Sequence, residues 1–299
     1  MPDLRSLETF YWVARLGSFR GAAERLNTTQ PAVSLRIANL EREFDARLLD
    51  RGSRTASLTP RGRLLLEYAE RFLALRAEMM ASVAEGSALS GVLRLGVSET
   101  IVHTWLSRFI ERVHAAHPRI TLDIDVDVSP ALRNALVEHE LDLAFLLGPV
   151  SEPTVNNLDL SRYPLAFLAS PHLDLGPGPV PVERLLEYPV ITYPKATRPY
   201  LALRQMLARP DRPPPRIFSN SSLSTIVRMT LDGIGVSVIT PVAVAEELAR
   251  GRLAVVPVDL LLPDLVFTAS YAAGPHGASA EPLARLARDV AAKFDHKGS

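Results

Sequence analysis

Apolar residues near the start of the chain recur every three or four positions, which is the spacing of one face of an α-helix. The first such stretch predicts a helix over residues 4–16 that ends at Gly17. Ser18 can cap a second helix that runs to Leu26, because its hydroxyl can accept a hydrogen bond from a free N–H of the first turn. The apolar positions of these two helices are Leu7, Phe10, Val13, Ala14, Phe19, Ala22, Ala23 and Leu26.

A third helix follows after a break at residues 27–28. It begins at Thr28 or Thr29 and carries Pro31 in its first turn, where the missing N–H of proline costs little. Its apolar face holds Val33, Ile37, Leu40 and Phe44. Three short helices with a tight turn between the second and third are typical of a helix-turn-helix.

Residues 48–59 predict a short hairpin, or wing, in which Arg51 and Arg54 flank a glycine turn. Thr59 and Pro60 then begin a long helix that extends to about residue 88. Its apolar residues alternate at spacings of three and four over about three heptads, which favours a coiled-coil seam between two copies of the chain over packing on its own domain alone. The expected seam positions are Leu65, Tyr68, Ala69, Phe72, Leu75, Met79 and Val83.

Beyond a Gly- and Ser-containing linker at residues 86–91, strands and helices alternate. The first group has strands at 92–97, 121–128 and 141–147 and helices at 102–117 and 130–139. The second group has strands at 165–170, 190–193, 216–219, 236–239 and 253–257 and helices at 182–186, 199–207, 223–232 and 242–250. This order predicts parallel sheets with right-handed crossovers. The last strand, 265–271, and the last helix, 281–294, are expected to return to the first group, so that two α/β lobes enclose a ligand cleft.

The composition is that of a globular protein, and 299 residues leave room for about two domains. The chain has no cysteine, which excludes disulfides, thiolate metal sites and cysteine nucleophiles. It begins without the pattern of a signal peptide, and no apolar run approaches the roughly 18 residues of a membrane span. We therefore expect a cytoplasmic protein that does not contact a membrane.

The formal net charge of zero hides an uneven distribution. Residues 1–66 hold eleven arginines and seven acidic residues, an excess of four positive charges that the remainder of the chain balances. A basic head on an acidic body is the asymmetry of a protein that binds a polyanion. Because the first lysine is Lys195, the head is basic entirely through arginine, whose planar fork suits phosphates and guanine edges.

Several stretches of the chain resemble the LysR-type transcriptional regulators, and the resemblance covers essentially the whole chain. The most specific matches are Ala22-Ala23-Glu24-Arg25-Leu26, Thr29-Gln30-Pro31-Ala32-Val33-Ser34, Ile37, Leu40-Glu41, Leu48-Leu49-Asp50-Arg51, Leu58-Thr59-Pro60 and Gly62. Weaker matches lie at residues 91–97, 141–144 and 233–236. Two positions depart from the family pattern: Asp45 stands where glycine is common and Leu49 where an aromatic residue is common.

The resemblance implies an N-terminal winged helix-turn-helix, a long dimerising linker helix and a two-lobed effector domain like the periplasmic binding proteins. It also implies homotetramers built from two dimers, and effector-dependent control of a promoter. The expected domains are a DNA-binding head at 1–59, a linker helix and hinge at 60–90, and an effector domain at 91–299. Lobe I of that domain would comprise residues 91–162 and 267–299, and lobe II residues 163–266.

The expected DNA contacts lie on the third helix and the wing. The helix N-terminus directs free N–H groups toward phosphate, and the amide of Gln30 can read adenine in the major groove. Pro31 can touch a thymine methyl, and Arg36 can reach guanine or phosphate. The full predicted set is Thr28, Thr29, Gln30, Pro31, Ser34, Arg36, Arg51 and Arg54.

The expected effector contacts are polar residues at strand ends that face the cleft. They are Ser98, Glu99, Thr100, Ser129, Thr192 and Asn220. In the resembling family such loops bind effectors that are often carboxylates. Glu99 facing inward would repel an anion and favour a hydroxyl or amine, whereas facing solvent it would leave an anion free to bind.

Other chemistries have weaker support. Ser98 and His103 could pair as nucleophile and base, but no nucleophile-elbow motif or orienting acid accompanies them. We expect no catalytic centre, no metal site and no cofactor. Two alternatives to an effector-controlled regulator remain: an enzyme fused to a DNA-binding head, and a constitutive DNA-binding repressor with a vestigial cleft.

Overall fold

The computed structural model describes residues 3–50, 56–83, 89–176, 178–208, 214–273, 277 and 279–295. The chain divides into two compact units, one formed by residues up to 87 with 273–279, the other by residues 88–272 with those from 280 onward.

The first unit begins with three helices whose ends follow from local sequence. They are α1 (Leu4–Leu16), α2 (Phe19–Arg25) and α3 (Gln30–Glu43). Gly17 ends α1 in the left-handed region, with φ of 59°, and the Ser18 hydroxyl accepts from the Gly21 N–H at 3.1 Å to cap α2. Thr29 caps α3, with Pro31 in the first turn. The three predicted helices are confirmed with only small differences at their ends.

A buried carboxylate organises the turn after α3. The Oε1 atom of Glu41 accepts from the backbone N–H groups of Leu48 at 2.8 Å and Leu49 at 3.3 Å. Asp45, at the position where a glycine is common, has a positive φ of 46°. A short side chain that tolerates this backbone conformation explains how aspartate can replace glycine there.

The wing and the long helix complete the first unit. Strand β1 (Leu49–Asp50) pairs antiparallel with β2 (Ser57–Leu58), and the predicted turn between them, with Arg51 and Arg54, lies outside the described residues. Helix α4 runs over Pro60–Val83. Its Gly62 lies so close to the wing that an added Cβ would stand 2.1 Å from the carbonyl oxygen of Leu48.

The first sheet of the second unit combines parallel and antiparallel strands in the order β4-β3-β5-β12-β6. Its strands are β3 (Ser90–Val97), β4 (Arg119–Val126), β5 (Leu143–Leu147), β6 (Val155–Pro164) and β12 (Asp264–Ala272). Its helices are α5 (Glu99–Val102), α6 (Leu106–Ala116), α7 (Ser129–Val137) and α12 (Ala280–Asp295). We call this layer lobe I; the rings of Trp105, Phe109 and Phe145 meet in its core.

The second sheet has the order β11-β7-β10-β8-β9 and forms lobe II. Its strands are β7 (Ala166–Ala169), β8 (Val190–Thr192), β9 (Ile217–Ser219), β10 (Val236–Ile239) and β11 (Ala254–Val256). Its helices are α8 (Val182–Leu185), α9 (Arg198–Leu207), α10 (Leu223–Leu231) and α11 (Ala245–Ala249), the last preceded by a 3-10 turn at Pro241–Val244. The chain passes from lobe I to lobe II after β6 and returns at β12.

Several expectations for this unit were wrong in detail. Strand β6 was not predicted; it pairs antiparallel with β12, and β12 is also antiparallel to β5, so the sheets are mixed and not purely parallel. The helix expected over 102–117 begins only at Leu106, because the chain turns at residues 103–105 and buries Trp105; a separate short helix, α5, precedes that turn. The helix expected over 242–250 likewise begins as a 3-10 turn.

Candidate DNA-binding face and interlobe cavity

Helix α3 presents a polar surface opposite the face that it buries. Val33, Ile37 and Leu40 are buried on one side. At about 100° per residue, the exposed residues Pro31, Leu35 and Arg42 lie on the opposite side, and the exposed Ser34 lies on one flank. Thr29 and Gln30 are also exposed and stand at the helix start, whereas Thr28 is half-buried in the preceding turn.

Two features of this face were not foreseen. Arg36 lies half-buried on a flank of α3. The pKa of the Asp3 carboxyl is lowered mainly by hydrogen bonding from Ser6, and the nearby positive charge of Arg36 adds to this shift. Leu35, 61% exposed, and Arg42 occupy the side opposite the core instead. A helical-wheel projection of residues 30–43 would have shown that Arg36 lies on a flank and that Leu35 and Arg42 are exposed.

Helix α4 also has two distinct sides. Ala69 and Leu73 are buried against the helices of their own unit, so the expectation that Ala69 belongs to a seam was wrong, and Leu65 packs partly on the same core. Five apolar side chains, each more than half exposed, fall within an arc of about 80° on the other side. This linker-helix stripe consists of Leu64, Tyr68, Phe72, Leu75 and Met79.

A small cavity opens between lobe I and lobe II. Four of the six predicted effector residues line it: Ser98, Glu99, Thr100 and Ser129. Lobe II contributes Tyr193, Pro194, Thr197, Pro199 and Ser221, which were not predicted. The cavity therefore lies where strand ends of both lobes face the cleft.

Ser98 and Ser129 form a short hydrogen-bond chain at the cavity wall. The N–H of Leu147 donates to the Ser129 hydroxyl at 2.9 Å, and the hydroxyls of Ser129 and Ser98 are 3.2 Å apart. Because Ser129 already accepts from a backbone N–H, its own proton can go to Ser98. The Ser98 proton is then available to a ligand.

Tyr193 places a buried hydroxyl at the same cavity. Its Oη makes no hydrogen bond to any residue that the structure describes. Burial raises the pKa of Tyr193 to about 12, and the nearby polar groups of Thr100 and of the Thr240 backbone oppose the shift in part. The side chain therefore stays protonated, and it offers a donor that a ligand could satisfy.

Glu99 connects the two lobes. Its Oε2 accepts a short hydrogen bond from the backbone N–H of Leu223, the first residue of α10, and its Oε1 lies 3.5 Å from the Ser222 hydroxyl. A carboxylate at a helix N-terminus is stabilised by the free N–H groups and the helix dipole. Glu99 thus faces the cleft and not open solvent.

Thr192 and Asn220 lie away from this cavity wall. Thr192 is fully buried and donates to the carbonyl of Val238 at 2.9 Å, while Asn220 accepts from the N–H of Ser222 at 2.8 Å. Both side chains serve the internal structure of lobe II. His103 does not pair with Ser98; its Nε2 lies 3.3 Å from the Ser224 hydroxyl and 3.8 Å from Glu99 Oε1.

Two family models match the chain. Residues 4–63 match the bacterial regulatory helix-turn-helix protein of the lysR family, and residues 86–294 match the LysR substrate binding domain. The fold and the two sites define a DNA-binding regulator with a ligand domain. The chain belongs to the LysR family of transcriptional regulators: it combines a DNA-binding helix-turn-helix with an effector-binding domain.

Relatives with assigned names agree with this membership. The chain is 27% identical to the HTH-type transcriptional regulator GltR of Bacillus subtilis over 84% of each chain. It is 29% identical to a probable RuBisCO transcriptional regulator of Nostoc, covering 87% of this chain and 78% of that protein.

Solved structures share the architecture along the whole chain. Full-length OxyR of Pseudomonas aeruginosa has a TM-score of 0.65 at 25% identity, covering 96% of this chain and 94% of that one. Full-length LysG of Corynebacterium glutamicum, solved with bound effector Arg, has a TM-score of 0.65 at 18% identity, covering 97% and 98%. The second likeness is one of fold alone.

None of the helices in the described ranges is long and apolar enough to cross a membrane. Within the same ranges, no three His, Asp or Glu side chains are grouped so that they could hold a metal ion.

Proposed function

We propose that the exposed face of α3 reads operator DNA and that occupancy of the interlobe cavity controls transcription from that operator. The observation that carries the proposal is the contact of Glu99 with the first turn of α10, because it ties a cavity residue of lobe I to lobe II. A ligand that strengthens or replaces this contact changes how the lobes are held together. Such a differential contact is what an effector needs in order to shift a conformational equilibrium.

The DNA-binding segment is residues 1–59, the linker helix and hinge are 60–90, and the effector segment is 91–299. Gln30 and Ser34 face the bases from the first two turns of α3, and Thr28 and Thr29 hold phosphate near its N-terminus. Arg36 reaches the DNA backbone from its flank of the helix. Arg51 and Arg54, outside the described residues, are assigned to backbone or minor-groove contacts of the wing.

The linker-helix stripe joins two copies of the chain. Its five apolar side chains lie opposite the face that packs on the protein's own core, which is the arrangement of a helix with a second partner. Two such dimers form the active tetramer on DNA. The assembly acts in the cytoplasm, where its operators are, and it reads the effector by affinity without turning it over.

The cavity holds a small polar effector against Ser98, Thr100, Ser129 and Tyr193. A simple carboxylate, the class first expected, would meet the Ser98 hydroxyl and the Tyr193 hydroxyl as donors. It would also meet the carboxylate of Glu99, and no arginine or lysine is among the described residues that line this cavity.

Three variants test the two sites separately. Gln30→Ala should relax discrimination at one base pair by roughly 1–3 kcal/mol, whereas Arg54→Ala should weaken binding to all duplexes alike. Thr100→Val should abolish the response to the inducer while operator binding stays unchanged. Operator-binding isotherms and a promoter-reporter induction curve measure these effects; unchanged binding in Gln30→Ala and unchanged induction in Thr100→Val would refute the assignments.

A further inference from the structure

A second, larger cavity adjoins the first and differs from it in charge. The two cavities share Ser129, Leu147 and Thr197 as lining residues, so they lie side by side along the cleft. The first cavity is lined by the carboxylates Glu99 and Asp127, and the second by the guanidinium groups of Arg133 and Arg198. One end of the cleft is therefore acidic and the other basic.

The basic end offers one cation that is free to bind an anion. Arg133 is paired with Glu152 at 2.6 Å, which leaves it little attraction for a ligand. Arg198 is exposed at the first turn of α9 and donates to the carbonyl oxygen of Gly148 at 3.1 Å, and it forms no ion pair with any of the described residues. A guanidinium has five N–H donors, so most of those of Arg198 remain available to a carboxylate.

The acidic end offers acceptors in the same way. A carboxylate has about four lone-pair positions, and Glu99 uses one of them for the N–H of Leu223. The Ser222 hydroxyl at 3.5 Å and the His103 Nε2 at 3.8 Å from Glu99 are too distant to occupy the rest strongly. Asp127, which lines the same end, accepts from the N–H of Val128 at 2.6 Å.

We propose that the effector is a zwitterion that spans both cavities, with a cationic nitrogen at Glu99 and a carboxylate at Arg198. This inference rests on the proposed function of the cleft and adds the chemical class of its ligand. A ligand with only a carboxylate is attracted to Arg198 but repelled by Glu99. A ligand with only an ammonium group is attracted to Glu99 but repelled by Arg198. Only a ligand with both charges satisfies the two ends at once.

The test is calorimetric titration of the full-length protein with ω-amino acids of increasing length, from glycine to 5-aminopentanoate. Each is compared with the amine and the carboxylate of the same chain length. At least one zwitterion should bind roughly tenfold or more tightly than both of its singly charged counterparts. The charge separation that binds best measures the span from Glu99 to Arg198 in the bound state.

Two variants assign the ends. Glu99→Gln should remove the preference over the carboxylate counterpart, and Arg198→Gln should remove the preference over the amine counterpart. Glu111→Gln on α6 and Arg204→Gln on α9 alter exposed charges that do not line either cavity, and they should leave both preferences intact. Thermal unfolding of each variant checks that the fold is retained.

Three results would overturn the inference: a singly charged counterpart that binds as tightly as the best zwitterion, preferences that survive in Glu99→Gln and Arg198→Gln, or no binding by any member of the series up to about 10 mM. Failure of the proposed function looks different. A neutral molecule that changes operator binding, and loses this effect in Thr100→Val, would keep the cavity as the effector site and exclude the zwitterion.

Discussion

Truncating one residue of the linker-helix stripe should weaken association of the chain without disturbing its fold. Leu75 is 62% exposed, and it lies opposite the buried residues Ala69 and Leu73 of the same helix. Leu75→Ala therefore removes apolar surface that the single chain does not use for its own core.

The expected size of the effect follows from this exposure. Fully burying a leucine side chain is worth about 1.5–3 kcal/mol, so burying the exposed part of Leu75 contributes about 1.5 kcal/mol per chain. Each dimer contains two copies, which gives about 3 kcal/mol, or roughly a 100-fold rise in the dimer Kd.

Sedimentation equilibrium over a dilution series measures this Kd for the wild type and for Leu75→Ala. Leu201→Ala is the matched control, since Leu201 is 53% exposed but lies on α9 of lobe II. A Kd for Leu75→Ala within about threefold of the wild type and of the control would show that the stripe is not the dimer contact.

Three further perturbations test the structure elsewhere. Glu41→Ala should lower the free energy of unfolding of the first unit by about 2–3 kcal/mol, because the buried N–H of Leu48 loses its acceptor. Urea unfolding measures this loss, and hydrogen exchange at the Leu48 amide should become faster. Unchanged exchange at that amide would contradict the prediction. Gly62→Ala should abolish operator binding, because its added Cβ would stand 2.1 Å from the carbonyl oxygen of Leu48. Gly21→Ala is the control and should be tolerated, since its Cβ would meet other atoms only at 3.6 Å. Equal operator affinity for the two variants would count against this packing. The pKa of Tyr193 is raised to about 12 from 10, so the stability that this residue contributes is present below pH 10 and is lost as the pH rises toward 12. Between about pH 9 and pH 11, the free energy of unfolding should therefore fall less in Tyr193→Phe than in the wild type. An identical fall in both proteins would exclude the raised pKa.

The helices of the first unit could be predicted closely because their signals are local. Gly17 ends α1, and Ser18 and Thr29 cap the next two helices through hydrogen bonds within a few residues. The two sides of α4 could not be assigned in the same way. Its apolar residues surround much of the helix, and only packing against the other helices shows that Ala69 turns inward and Leu75 outward.

The cavity shows a similar limit. Thr192 was expected among the effector contacts because it ends a strand near the cleft, but successive side chains point to opposite faces of a sheet. Thr192 therefore turns into lobe II, and its neighbour Tyr193 lines the cavity. Strand β6 was missed because its residues are mostly polar or half-exposed, including Asn156, Asn157 and Asp159, and it gains its place by pairing with β12.

Selection of binding sites from a random duplex library tests the central claim most directly. The full-length protein should enrich one motif with two related halves, because a dimer presents two copies of α3 to the DNA. A variant that carries both Gln30→Ala and Ser34→Ala should lose that preference at the contacted bases while it still binds duplex DNA. No enrichment by the wild type, or the same motif from the double variant, would contradict the assignment of α3 as the sequence-reading element.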